Sequence, residues 1–112
     1  MSVHTYDCGT ITIANGGTTS GVLAADPHYQ NAKGLVIWGP SALTGTVTVQ
    51  VSYDGTTYGP LQSSGADVTI TATDATPITF QGWTHLRLVS GSAEGAQRDF
   101  IVRAVENVRH CI

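Results

Sequence analysis

Apolar and polar residues alternate strictly over residues 46–53. Val47, Val49, Val51 and Tyr53 fall on one side, and Thr46, Thr48, Gln50 and Ser52 on the other. A period of two sends successive side chains to opposite faces of a pleated strand, so this segment predicts a half-buried β-strand. Asp54-Gly55 follows and supplies residue types that tolerate positive φ in a tight hairpin turn. A return strand is predicted over about 57–62, on a sheet edge, because Pro60 has no N–H to offer a second neighbour.

The same alternation recurs along the chain. Ile11 and Ile13 alternate with Thr10 and Thr12, and Val68 and Ile70 with Thr69 and Thr71. Ile78 and Phe80 follow an expected turn at Thr76-Pro77. Leu86 and Leu88 point inward with His85 and Arg87 outward, and Phe100, Val102 and Ala104 mark one face of a last long strand. Residues 35–38 (Leu-Val-Ile-Trp) are continuously apolar, as in a strand covered on both faces or packed under a loop. A short strand is allowed within 20–24, and residues 26–33 are the least regular stretch. Seven to nine short strands with a turn about every ten residues predict an all-β, single-domain antiparallel β-sandwich, jelly-roll or Ig-like, spanning residues 1–112.

Composition sharpens this picture. Hydrophobic residues make up 41% of the 112, enough for one core, while charged residues make up only 12%, against about 25% in an average soluble domain. Thr, Val, Ser and Gly fill the difference, and the branched Cβ of Thr and Val suits a pleated surface. So little charge, with almost no Lys to guard sheet edges, suits a surface partly covered by neighbours. The net charge of −3 with five Lys and Arg argues against a nucleic-acid partner, which demands a basic stripe. Arg98, Arg103 and Arg109 cluster, but Asp99 and Glu106 interleave with them as on a solvated strand face. No apolar run approaches the ~20 residues that span a bilayer, so no membrane partner is expected. Residues 1–7 lack the features of a signal peptide, and synthesis in the cytoplasm is the expectation.

Candidate chemistry is sparse. His4 and Cys8 near one end and His110 and Cys111 near the other form a set that zinc favours, but without the usual ligand spacing. A Cys8–Cys111 disulfide would close nearly the whole chain, whereas reduced thiols suit a reducing compartment. No nucleophile elbow is present, and Asp54, Asp67, Asp74 and Asp99 sit at expected turns or strand ends. The loop 91–95 contains glycine but no helix follows it to cradle phosphate. No catalytic residue, metal or cofactor is therefore assigned. Among the aromatics, Trp38 and Trp83 read as core or rim packing. Tyr29 and Tyr58 are the candidate ligand contacts if the sandwich stacks sugars on exposed rings.

Several segments, taken in order, resemble a known type. They are Thr18-Thr19-Ser20, Leu35-Val36-Ile37, Leu43-Thr44-Gly45, the run from Val47 through Ser52-Tyr53-Asp54-Gly55-Thr56-Thr57-Tyr58, Gly82-Trp83, Leu86-Arg87-Leu88-Val89-Ser90-Gly91 and Gln97-Arg98-Asp99-Phe100. The set covers about residues 10–105 and resembles small β-sandwich virion structural proteins of tailed bacteriophages, of the capsid cement or decoration type. The resemblance implies a homo-oligomeric protein at the capsid surface of the virion that binds the major capsid protein and stabilises the head. It transfers no catalytic residue. The alternative within the type is a tail- or fibre-associated carbohydrate- or receptor-binding module. A free-standing adhesion domain is disfavoured by the absence of an export signal. Residues 1–7 and 107–112 are the expected arms, with Val3, His4, Tyr6, Val108, His110 and Ile112 as candidate partner contacts.

Overall fold

The structure is a computed structural model that describes residues 5–24, 34–79 and 83–105. All of its regular elements are β-strands: β1 (Thr5–Ile13), β2 (Leu23–Ala24), β3 (Gly34–Trp38), β4 (Val47–Ser52), β5 (Tyr58–Pro60), β6 (Gln62–Ser63), β7 (Ala66–Asp67), β8 (Thr69–Ile70), β9 (Ala75–Thr79), β10 (His85–Ser90) and β11 (Arg98–Val105). Every pairing is antiparallel. Two sheets carry the fold. Sheet A runs β1-β11-β3-β9, and sheet B runs β2-β10-β4-β5 with β8 also on β4.

The eleven strands among the described residues exceed the seven to nine expected because one ribbon is broken into four. β5 and β8 lie end to end along the same edge of β4, with Ser52 opposite Tyr58 and Val47 opposite Ile70. Between them Val49 bonds to both arms, donating to the Val68 carbonyl and accepting from the Leu61 N–H, each at 2.9 Å. The intervening residues leave the sheet as the small β6–β7 hairpin, whose tip places Ser64 and Gly65 at positive φ, the signature of a type I′ turn. Counting that ribbon as one position gives eight. Sheet A then holds positions one, eight, three and six, and sheet B two, seven, four and five. This is the strand order of a jelly roll. An immunoglobulin arrangement would keep the first two strands in one sheet.

The core is the space between the sheets. Ile11, Ile13, Leu35, Ile37, Ile78, Phe100 and Val102 enter it from sheet A, and Val47, Val49, Ile70, Leu86 and Leu88 from sheet B. Sequence alternation predicted these assignments except Leu35 and Ile37, which belong to the continuously apolar run. Trp83 also lies in the core, as expected.

Four local expectations are corrected. The β4 pattern ends at half-buried Val51: Ser52 is buried and Tyr53 is 73% exposed, because the chain leaves the sheet there. The β4–β5 connection is a five-residue loop, residues 53–57, rather than a two-residue turn. Asp54 Oδ1 accepts the N–H groups of Thr56 and Thr57, and Ser52 Oγ accepts that of Gly55, each at 2.8 Å, so side chains replace the missing ladder bonds. Thr76 and Pro77 form part of β9 rather than a turn. That strand lies on a sheet edge, where Pro costs no ladder bond. The turn before it lies at residues 71–74, with Thr73 at φ 66°. Finally, β3 buries Leu35 and Ile37 on one face, and Trp38 stands 46% exposed on the other.

Candidate functional site

Each sheet has an outer face, and the two differ in chemistry. On sheet A, Trp38 of β3 lies directly opposite Ile101 of β11, and both are about half exposed, at 46% and 49%. The row continues to Ala75 on β9 and to Thr10 on β1. One step along the strands, Val36 pairs with Pro77 and with Arg103. The outer face of sheet A is therefore an apolar strip of Val36, Trp38, Ile101, Ala75 and Pro77, bordered on β11 by Asp99 and Arg103. Soluble sheets ordinarily put polar side chains on such a face, and contiguous exposed apolar residues mark contact surfaces.

The outer face of sheet B is polar and internally bonded. Arg87 Nε donates to Gln50 Oε1 at 2.9 Å, and its guanidinium sits 4.0 Å from the centroid of the Tyr58 ring. His85 faces Ser52 and packs under the Asp54-Gly55 turn. A Cβ added at Gly55 would lie 3.0 Å from the imidazole. Around this turn, the N–H groups of Thr57 and Thr56 and the Ser52 hydroxyl hold the Asp54 carboxyl below its ordinary pKa. Beside the turn, Val51, Tyr53, Pro60, Leu61 and Trp83 line an open cleft of about 380 Å³.

One end of the sandwich is tied by a buried carboxylate that sequence reasoning missed. Glu94, in the β10–β11 loop, is 1% exposed. Its oxygens accept the Thr44 N–H at 2.8 Å, the Gly45 N–H at 3.0 Å, the Ser90 hydroxyl at 2.6 Å and the Arg98 Nε–H at 2.8 Å. Its backbone N–H donates to the Gly17 carbonyl, and its carbonyl accepts from Gly16. Burial alone would raise its pKa. The hydrogen bonds from Ser90, Thr44, Gly45 and Arg98 outweigh that and hold it at about 2. With every lone-pair direction occupied, Glu94 is a structural clamp joining three loops. Arg98 accordingly does not belong to a solvated charged face.

Of the residues singled out from sequence, Tyr58 is in place on sheet B, but Arg87 covers one side of its ring. Tyr53, which the alternation placed on the same side as Val47, Val49 and Val51, is exposed. Tyr6 belongs to β1, opposite Ala104, and Thr5 and Asp7 also continue that strand rather than forming an arm. Cys8 lies in β1 where the register shifts between Asp7 and Gly9; its side chain and Cys111 lie outside the described residues, as do Val3, His4, Tyr29, Val108, His110 and Ile112. Among the described residues no group of His, Cys, Asp and Glu could hold a metal ion, and no helix is long and apolar enough to cross a membrane. No protein-family model, curated protein or solved structure matches the chain.

Proposed function

We propose that this chain is a structural protein of a tailed-bacteriophage virion, a capsid cement or decoration protein that binds the major capsid protein and further copies of itself. The observation that carries the reading is the outer face of sheet A, where Trp38 and Ile101 form an exposed cross-strand pair within an apolar strip. Exposing these side chains to water forgoes about 25 cal/mol per Å² of burial, and a partner surface recovers it. The low overall charge and the fully hydrogen-bonded Glu94 clamp fit a protein that works through rigid surfaces. Quantitative mass spectrometry of purified particles tests the proposal. Copy number comparable to the major capsid protein is the expected result, a handful of copies moves the chain to the tail, and absence from the particle rejects the reading.

A second reading, a carbohydrate- or receptor-binding module, is favoured by one observation: Tyr53 stands 73% exposed at the cleft beside Trp83. Stacking of a sugar there requires Tyr53 more than Tyr58, whose ring already carries the Arg87 guanidinium. In a glycan-binding assay Tyr53→Ala should then abolish weak saturable binding. Retention of binding in Tyr53→Ala removes the cleft from consideration.

A further inference from the structure

Asn15 stands exposed in the connection from β1 to β2 and is followed by Gly16, which has no side chain to shield its backbone nitrogen. The other asparagines, Asn31 and Asn107, precede Ala32 and Val108. The Asn15 side-chain amide has no hydrogen-bond partner among the described residues. A Cβ placed at Gly16 would meet nothing within 4 Å, so water reaches the pair. An amide carbon beside an unhindered backbone nitrogen is an electrophile next to its nucleophile. We propose that Asn15-Gly16 is a self-modification site, deamidated through a cyclic imide, and that the Glu94 loop governs its rate.

The step balances with water as the only co-reactant. The Gly16 nitrogen bonds to Asn15 Cγ as the Cγ–Nδ2 bond breaks. The Gly16 proton leaves with Nδ2 as ammonia, and an imide ring remains. Water then opens the ring. Cleavage at Cγ gives an aspartyl residue, whereas cleavage at the backbone carbonyl gives an isoaspartyl residue whose main chain is longer by a methylene. Nothing is oxidised or reduced, and the loss of ammonia makes the change irreversible.

The fold holds this site closed. The Gly17 N–H donates to the Ala14 carbonyl at 2.8 Å across Asn15 and Gly16. Gly16 takes φ 82° while Asn15 keeps φ negative, which makes the turn type II. That turn sets ψ of its first central residue, here Asn15, at about +120°. Ring closure needs the Gly16 nitrogen to eclipse Asn15 Cβ, which for an L-residue calls for ψ of the opposite sign. The Gly16 N–H, whose proton must leave, is also donated to the Glu94 carbonyl at 2.7 Å, and the Glu94 N–H donates to the Gly17 carbonyl at 3.0 Å. Attack therefore requires the turn to part from residue 94. The Glu94 side chain anchors that residue to Thr44, Gly45, Ser90 and Arg98. A carboxylate far away in sequence thus sets how often the turn opens.

Incubation of the full chain in mildly alkaline buffer, followed by peptide mass mapping, tests the proposal. The expected mark is the mass gain of an amide becoming an acid, on the peptide holding Asn15 and absent from Asn15→Gln. In the folded wild type it should form at least about tenfold more slowly than in the same chain unfolded in urea, because only the open population reacts. Glu94→Ala, checked as folded by circular dichroism, should accelerate it about tenfold or more. Should Glu94→Ala fail to fold, Ser90→Ala removes one donor to the same carboxylate and should give a smaller acceleration. Ile78→Ala weakens the core away from the loop and should leave the rate near that of the wild type. Equal acceleration by Ile78→Ala would assign the effect to global unfolding and overturn the gating. A folded wild type that reacts as fast as the unfolded chain overturns it too, as does a folded Glu94→Ala or Ser90→Ala no faster than the wild type. An unfolded chain that keeps its Asn15 amide overturns the site itself.

Discussion

Glu94 and Arg98 stand four residues apart and meet at 2.8 Å, with the Glu94 side chain fully buried and that of Arg98 16% exposed. The pair spans the loop that leads from β10 into β11. It fastens this loop to the β3–β4 connection through Thr44 and Gly45, and Arg98 Nη2 adds a 3.2 Å bond to Thr44 Oγ1. Two loops at one end of the sandwich are thus held by a single carboxylate, and the Glu94 backbone ties a third through Gly16 and Gly17.

Removing that carboxylate leaves two backbone N–H groups and a guanidinium without their acceptor. Glu94→Ala should cost about 3 kcal/mol or more, the usual consequence of breaking a buried, hydrogen-bonded ion pair. Urea titration followed by tryptophan fluorescence measures it. A loss below about 0.5 kcal/mol, the range of ordinary surface substitutions, would show that the clamp contributes nothing.

The same group predicts an acid limb. Its folded pKa of about 2 lies below the ordinary 4.5, so the folded state binds the proton less tightly than the unfolded chain. Its stabilisation is therefore complete above pH 4.5 and disappears progressively as the pH falls from 4.5 towards 2. Asp54, also lowered, acts in the same direction. The urea midpoint should fall steeply across this window in the wild type. Glu94→Gln should start lower and give a flatter curve, with the Asp54 contribution remaining.

Two glycines should respond in opposite ways. A Cβ at Gly45 would lie 2.5 Å from Ser90 Oγ and 2.6 Å from the Ser92 nitrogen, whereas one at Gly59 meets nothing within 4 Å. Gly45→Ala should therefore destabilise by more than 1 kcal/mol, roughly the cost of overpacking a tight site. Gly59→Ala should be neutral or stabilising by up to about 1 kcal/mol, because it restricts only the unfolded chain. Equal thermal midpoints for the two variants would contradict the packing described for the clamp.

On sheet B, Arg87 and Tyr58 form a half-buried cation–π pair. A double-mutant cycle with Arg87→Ala and Tyr58→Ala should give a coupling of about 0.5–1 kcal/mol. A coupling indistinguishable from zero would mean that the stacking is incidental.

Period-two alternation revealed the inward residues of β1, β4, β10 and β11 because a buried face needs apolar side chains at every second position, whatever the topology. It misled at Tyr53, since alternation continues in the sequence after the strand has left the sheet. It also misled at Pro77, which reads as a turn residue unless the strand is known to lie on an edge. The exposure of Trp38 was hidden for a related reason: an apolar run does not say whether its second face is covered. Glu94 was illegible because its value lies in donors from Thr44, Gly45 and Ser90, and nothing local distinguishes it from a loop acid. The type I′ turn at Ser64-Gly65 did carry a local cue, a Ser-Gly pair between short polar segments, but the flanking strands are too brief to announce themselves.

The sheet order has a kinetic side. β11 lies between β1 and β3, and the Thr12–Asp99 bond joins residues 87 apart in the chain. The ribbon of β4, β5 and β8 can assemble from neighbouring segments and β3 can pair with β9, but β2 waits for β10 and β1 stays unpaired until Arg98–Val105 arrives. Such distant pairings place folding among the slow, millisecond-to-second cases. During synthesis, Ile11 and Ile13 must therefore wait, exposed, for the strand that will separate β1 from β3. That interval, rather than the finished sandwich, is when the chain is most open to aggregation and to chaperones.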